Sequence, residues 1–148
     1  MASTFEKLNL KDHKRIVVLN APASFEPELA TLRGVSVVRN LEGREGIAFS
    51  LAFVTKQKEV DTLGKAIGKK AEGDAVVWFA YPKQSSKKYN SEIDRDSGWA
   101  VLGQAGFEPV RMVAIDEDWS AVRFRRAELI KTMTRGKEHR MSAQGKAR

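Results

Sequence analysis

Four apolar runs, separated by segments with helical spacing, constrain the fold of this chain more than any other feature. The run Ala75–Ala80 carries no charged or polar residue, which is typical of a strand buried on both faces. The other runs are Arg15–Asn20, Val35–Val38 and Ile47–Val54. Strands of this kind occur in sheets that helices cover on both sides.

The alternation of strands and helices predicts an α/β, three-layer sandwich with a Rossmann-like, mainly parallel sheet. Right-handed crossovers between the four strands give the order 2-1-3-4. Residues 109–115 and 121–125 flank the acidic turn Asp116–Ser120, and they predict an antiparallel C-terminal hairpin at the sheet edge. We expect one domain over residues 1–135.

Capping and turn residues place the helices. Ser24 is expected to cap a short helix with Pro27 in its first turn, and Thr55 to cap a longer one. The inner face of the longer helix would carry Val60, Leu63, Ile67 and Ala71. Gly64 and Gly68 weaken that helix by about 1 kcal/mol each relative to alanine, which close packing would explain. A further helix is expected to begin at Asp96 or Ser97 and to end at Gly106.

Charge is concentrated at the C-terminus. The chain of 148 residues has a formal net charge of +7. Residues 127–148 contain six cations and two anions, so this segment contributes +4 of the net charge. Residues 136–148 are therefore expected to form a basic, disordered tail, with nucleic acid as an alternative partner. The absence of cysteine and of a long apolar segment favours a cytoplasmic protein without a membrane span.

The best-placed candidate site follows the fourth strand, because ligands of open α/β sheets bind at the carboxyl ends of the strands. The loop supplies cationic and hydroxyl groups suited to a phosphate or carboxylate: Lys83, Ser85, Ser86, Lys87 and Lys88. Asn20 and Thr55 follow the first and third strands and are predicted to join the same cleft. A solvated surface loop of the same composition is the alternative.

Other site chemistries lack the residues they need. No glycine follows the first strand, where Asn20–Phe25 stands, and Gly64–Lys70 departs from the spacing of a phosphate-binding loop. His13 and His139 have no predicted carboxylate partner, and Asp94 and Asp96 lack the glycine and distal glutamate of a calcium loop. We therefore predict no catalytic, cofactor-binding or metal-binding residue.

The segment Gln104–Val110, followed by a strand, an acidic turn and a reversed strand, resembles the end of class I methyltransferase domains. From Leu8 to about Lys131 the chain is also similar to a group of short uncharacterised bacterial proteins. The shared patterns are Tyr81-Pro82-Lys83 and Asp118-Trp119-Ser120. Relative to the methyltransferases, the glycine-rich loop is missing and Arg39-Asn40 end the second strand in place of an acidic residue. The resemblance thus implies a degenerate member without S-adenosylmethionine.

These observations predict a non-catalytic domain that binds an anionic ligand or a protein partner through the loops at the C-terminal ends of the strands. A diverged transferase-like enzyme using the same cleft is the first alternative. A nucleic-acid-associated protein using the basic tail is the second.

Overall fold

A computed structural model of the chain describes residues 4–11, 13–41, 46–93 and 98–129. The helices are α1 (Thr4–Lys7), α2 (Glu26–Leu29), α3 (Gln57–Lys70) and α4 (Ala100–Gln104), with 3₁₀ turns at Ala23–Phe25 and Ala127–Leu129. The strands are β1 (Arg15–Leu19), β2 (Ser36–Val38), β3 (Ile47–Phe53), β4 (Ala71–Pro82), β5 (Phe107–Ala114) and β6 (Trp119–Arg126).

The six described strands form one sheet in the order β2-β1-β3-β4-β6-β5. β2, β1, β3 and β4 pair in parallel, whereas β6 pairs antiparallel with both β4 and β5. This confirms the predicted α/β fold, the order of the first four strands and the antiparallel C-terminal hairpin. The carboxyl ends of β1, β3 and β4 consequently lie side by side.

β4 is the centre of the core, and its two faces belong to separate hydrophobic clusters. Val77 and Phe79 pack on the side of α3 and α4, together with Ile67 and Leu102. Trp78 packs on the opposite side with residues of α1 and α2, and its indole Nε1 donates a hydrogen bond to the Leu8 carbonyl at 2.7 Å. Burial on both sides explains why the strand tolerates no charged residue between positions 75 and 80.

The two glycines of α3 let α4 approach closely. A Cβ at Gly64 would lie 2.8 Å from Val101 Cγ1, and a Cβ at Gly68 would lie 3.0 Å from Ala105 Cβ. The expected close packing is therefore present, although its partner is α4 rather than the sheet. Gly106, with φ of +91°, ends α4 as predicted.

Several local predictions were wrong. Ser24 lies inside a 3₁₀ turn and caps nothing, because the buried Phe25 draws the chain onto the sheet before α2 begins. Lys56, not Thr55, is the N-cap of α3. Ala71, predicted on the inner face of the helix, belongs instead to β4, which begins before the predicted run Ala75–Ala80. The predicted start of α4 at Asp96 or Ser97 lies outside the described residues.

One element was not anticipated. The short helix α1 buries Phe5, and Leu8 follows it into the core beside Trp78. None of the helices in the described ranges is both long and apolar enough to span a membrane.

Candidate functional site at the carboxyl edge of the sheet

Three segments meet where the parallel strands end. Asn20 follows β1, Thr55 lies two residues after β3, and Lys83 follows β4. The turn before β6 joins them, because Trp119 at the start of β6 pairs with Pro82 at the end of β4. The residues predicted from the three loops thus occupy one edge of the sheet.

Asn20 links two of the strands. Its backbone has φ of +59°, a left-handed conformation that asparagine adopts more readily than most residues. Its side-chain Nδ2 donates to the Phe53 carbonyl at 3.4 Å, which ties the end of β1 to the end of β3. One of its amide donors is therefore used inside the protein.

The segment after Asn20 is held down on the sheet by Phe25. This ring is buried, with its centroid 5.0 Å from that of Phe53 and 5.7 Å from that of Phe5. Pro22 in the same segment has no N–H group to offer a ligand. The loop after β1 is consequently a packed segment rather than an open cradle of amides.

An ion pair spans the ends of β1 and β2. Arg39, directly after β2, donates two hydrogen bonds of 2.9 Å to the Glu26 carboxylate on the helix that follows β1. This contact holds the pKa of Glu26 below its ordinary value and raises the pKa of Arg39. Both side chains are about half exposed, so the ion pair contributes little to the free energy of unfolding. It connects the end of β2 to the helix that follows β1.

The N-terminus of α3 is occupied by the protein's own carboxylates. Glu59 Oε1 accepts hydrogen bonds from Thr55 N at 2.8 Å, Lys56 N at 3.1 Å and Thr55 Oγ1 at 3.2 Å. Gln57 N donates to Glu92 Oε1 at 2.9 Å. The positive end of the helix dipole therefore faces internal anions. The hydroxyl of Thr55, predicted to meet a ligand, is engaged with Glu59.

The loop after β4 is anchored to the turn between β5 and β6. Lys83 N donates to the Asp118 carbonyl at 2.8 Å, and Ser86 Oγ donates to Asp118 Oδ1 at 2.8 Å. The same Ser86 hydroxyl accepts hydrogen bonds from Lys88 N at 3.3 Å and Tyr89 N at 3.2 Å. These contacts connect the loop to the start of β6, while Ser85, Lys87 and Lys88 remain exposed.

An aromatic contact continues the anchor. The Tyr89 ring lies 4.9 Å from the Trp119 ring, which in turn meets Phe53 edge-on at 5.1 Å. Trp119 is buried, and its Nε1 has no hydrogen-bond partner among the described residues. A buried indole N–H without an acceptor costs free energy.

A concave pocket of about 290 Å³ lies within the anchored loop. Its polar lining consists of Lys83, Gln84, Ser86, Tyr89, Asn90, Ser91 and Glu92. Lys83 and Ser86 are thus the two predicted site residues that line it. Ser85, Lys87 and Lys88 are exposed and are not part of the lining, whereas Asn20 and Thr55 lie at the same edge outside the pocket.

Glu92 was missed as a site residue, since its sequence neighbourhood indicates only the start of the following helix. It bridges two loops instead: its N–H donates to the Thr55 carbonyl at 2.9 Å, and its carboxylate caps α3. Gln84 and Asn90 gave no signal because amide side chains are common in any surface loop. Only their convergence on one cavity distinguishes them.

The other predicted polar groups have structural surroundings. Asp116 Oδ1 accepts hydrogen bonds from the N–H groups of Asp118 and Trp119, as expected for turn chemistry. His13 precedes β1 and lies at the opposite ends of the parallel strands from the candidate site, with its ring 5.4 Å from Phe49. Residues 4–11, 13–41, 46–93 and 98–129 hold no group of histidine and carboxylate side chains suited to a metal ion. Asp94, Asp96, His139 and the tail 136–148 lie outside those ranges.

Comparison with known proteins finds similar folds among solved structures only. No protein-family model matches the chain, and no curated protein matches it. Among solved structures, it is similar to a SAM-dependent methyltransferase from Aquifex aeolicus, with a TM-score of 0.55 and 13% identity over 82% of this chain and 87% of that one. The N-methyltransferase NodS from Bradyrhizobium japonicum WM9 gives a TM-score of 0.51 and 15% identity, covering 84% and 81%.

A third similar structure has a different description. It is a possible exported protein from Bordetella parapertussis, with a TM-score of 0.57 and 13% identity over 83% of this chain and 65% of that one. At such identities the likeness concerns the fold alone. The chain therefore has the Rossmann-like architecture found in class I methyltransferases.

Proposed function

We propose that this protein is a non-catalytic, methyltransferase-like domain that binds a small anionic ligand in the pocket of the β4 loop. The proposal rests on a difference between two parts of the sheet edge where the parallel strands end. The loop after β1 and the N-terminus of α3 are filled by internal groups, whereas the β4 loop lines an open pocket of about 290 Å³ with a lysine in its wall.

The residues at the first part of the edge do not fit S-adenosylmethionine. When a cofactor binds at the loop after the first strand, the main chain of that loop must come close to the ligand. Glycine permits this approach because it has no side chain. Here the buried Phe25 packs on Phe53, and Pro22 removes an amide. Arg39 is paired with Glu26 where the family resemblance calls for an acidic residue.

The second part of the edge suits a ligand with one or more carboxylate or phosphate groups. Lys83 supplies a positive charge, and Gln84, Asn90 and Ser91 supply neutral donors and acceptors around it. The carboxylate of Glu92, which also lines the pocket, accepts a hydrogen bond from Gln57 N at the start of α3. The volume corresponds to a small metabolite rather than to a nucleotide with its base and sugar.

Citrate is a suitable probe, and thermal unfolding of the whole chain is a suitable readout. We expect citrate to raise the melting temperature at constant ionic strength, and Lys83→Gln to weaken binding about tenfold through loss of a charged hydrogen bond. Lys87→Gln is the matched control, since Lys87 carries the same charge four residues away and lies outside the lining. Equal behaviour of the two variants would refute the pocket.

A diverged transferase is the second candidate, favoured by the methyltransferases among the similar folds. Calorimetry with millimolar S-adenosylmethionine separates the two proposals. Saturable binding that Phe25→Ala or Arg39→Gln alters would support the transferase. Absence of heat beyond dilution agrees with the filled edge described above.

The basic tail provides a third candidate, a nucleic-acid contact through residues 136–148. Phosphate contacts made by its cations would give affinity that falls steeply with salt. Deleting these residues should then lower retention on a DNA column and reduce the dependence on salt. Unchanged retention on the DNA column would refute the proposal that the tail binds nucleic acid.

A further inference from the structure

Two opposite charges line the pocket of the β4 loop. Lys83 lies directly after β4, and Glu92 lies near the end of the same loop. Both belong to the lining of the cavity of about 290 Å³, and the other described residues of that lining are neutral. The pocket wall therefore presents one cationic and one anionic side chain.

Lys83 and Glu92 are anchored to different parts of the fold. Lys83 N donates to the Asp118 carbonyl at 2.8 Å, in the turn before β6. Glu92 N donates to the Thr55 carbonyl at 2.9 Å, and Glu92 Oε1 accepts from Gln57 N at 2.9 Å, at the start of α3. The two charged side chains thus extend from separate, hydrogen-bonded points of the main chain.

The two charges do not neutralise each other. Within the described ranges, no ion pair joins Lys83 to Glu92, and neither has an ion pair with another residue. The Lys83 ammonium makes no hydrogen bond to those residues, and Glu92 Oε2 accepts none from them. Both groups are consequently available to a ligand in the pocket.

The presence of Glu92 selects among anionic ligands. A ligand that carries only carboxylate or phosphate groups is attracted by Lys83 and repelled by Glu92, because like charges in one cleft raise the free energy of binding. A ligand that also carries an ammonium group gives each of the two side chains a partner of opposite charge. Repulsion of the wrong ligand is a common source of specificity.

We infer that the ligand of this pocket is an amino acid, an assignment that rests on the anion-binding function proposed above for the β4 loop. Its carboxylate is held by Lys83, and its ammonium group donates to Glu92. Glu92 Oε2 accepts this hydrogen bond while Oε1 keeps the one from Gln57 N. Lys83 provides affinity for carboxylates in general, including citrate, and Glu92 adds the preference for an amino group.

L-Aspartate and succinate test this preference, because they differ by one ammonium group on the same dicarboxylate skeleton. Calorimetric titration of the full chain at neutral pH and constant ionic strength gives a dissociation constant for each. We expect aspartate to bind about tenfold more tightly than succinate, through one additional charged hydrogen bond. If Lys83 alone selected the ligand, the more negative succinate would bind at least as tightly.

Glu92→Gln identifies the group responsible. The glutamine carbonyl oxygen can still accept from Gln57 N, so the variant removes the charge and retains the anchor. We expect the tenfold preference for aspartate to disappear. Glu72→Gln is the matched control and should keep the preference, since Glu72 is exposed at the opposite end of β4. The ratio of the two affinities is measured within each variant, so a general loss of stability does not alter it.

N-Acetyl-L-aspartate provides the same comparison on the parent chain if Glu92→Gln fails to fold. Its amino group is a neutral amide, so we expect it to bind no more tightly than succinate. Binding of succinate or citrate without a preference for aspartate, or a preference that survives Glu92→Gln, would overturn the amino-acid ligand and leave an anion pocket. Binding of none of these ligands would refute the pocket itself and the amino-acid ligand with it.

Discussion

Ser86 holds the loop after β4 in place through a single hydroxyl group. The hydroxyl donates to Asp118 and accepts from Lys88 N and Tyr89 N, so three hydrogen bonds depend on it. We expect Ser86→Ala to lower the free energy of unfolding by about 1–2 kcal/mol. Ser85→Ala, at the exposed neighbour, should change it by less than about 0.5 kcal/mol.

Urea denaturation of both variants measures this difference. Equal midpoints would mean that the loop does not depend on the Ser86 hydroxyl, which would remove the structural reason for a preformed pocket. The two serines are indistinguishable in the sequence, where both belong to one polar loop. Only the long-range partner Asp118 separates their roles.

Asp74 makes stability depend on pH. Arg125 lowers the pKa of Asp74 below its ordinary value of 3.8, so the folded state prefers the ionised form. Its contribution is complete above the ordinary value and disappears as the pH falls through the lowered one. Since the Asp74 side chain is 45% exposed, the contribution is expected to be below about 1 kcal/mol.

Comparison of Asp74→Asn with the parent chain at pH 7 and at pH 2.5 tests this contribution. The variant should be less stable at pH 7, and the difference should shrink at pH 2.5. A difference that is the same at both values would contradict an electrostatic origin.

At the level of elements, α3 and α4 are coupled through Gly64. Glycine in the middle of a helix ordinarily costs about 1 kcal/mol relative to alanine, so Gly64→Ala would stabilise an isolated helix. Here the added Cβ would approach Val101 Cγ1 to 2.8 Å, and valine has little rotamer freedom in a helix. We therefore expect Gly64→Ala to destabilise the protein.

A double-mutant cycle with Val101→Ala tests this coupling. Removal of the methyl groups should relieve the contact, so that Gly64→Ala becomes favourable in the Val101→Ala background. The coupling energy should be about 1 kcal/mol or more. Additive effects would mean that the two helices can separate without cost.

The regular elements were largely predictable, and the reasons are local. Apolar runs identified the first four strands, because a parallel sheet requires burial on both faces, and right-handed crossovers gave their order. α1 was missed, since four residues with one buried ring give no helical period. Thr55 was assigned as a cap on residue type alone, but Glu59 supplies the acceptor for the amides at the start of α3.

At the scale of the whole molecule, the sequence indicated which edge of the sheet carries the polar loops but not which loop residues converge. Lys83 and Ser86 line the pocket, whereas Lys87 and Lys88 do not. Glu92 and Arg39 act through partners 35 and 13 residues away, Gln57 and Glu26 respectively. Separations of this kind have no periodic signature, so side-chain convergence became visible only in three dimensions.

We propose that the ligand pocket at the carboxyl edge of the sheet lies in the β4 loop and not after β1. Backbone amide chemical-shift mapping of the full ¹⁵N-labelled chain during a citrate titration tests it most directly. We expect saturable shifts concentrated in residues 83–93, and their loss in Lys83→Gln but not in Lys87→Gln. Shifts concentrated in residues 20–25 and at Arg39, or no saturable shift in residues 83–93, would contradict it.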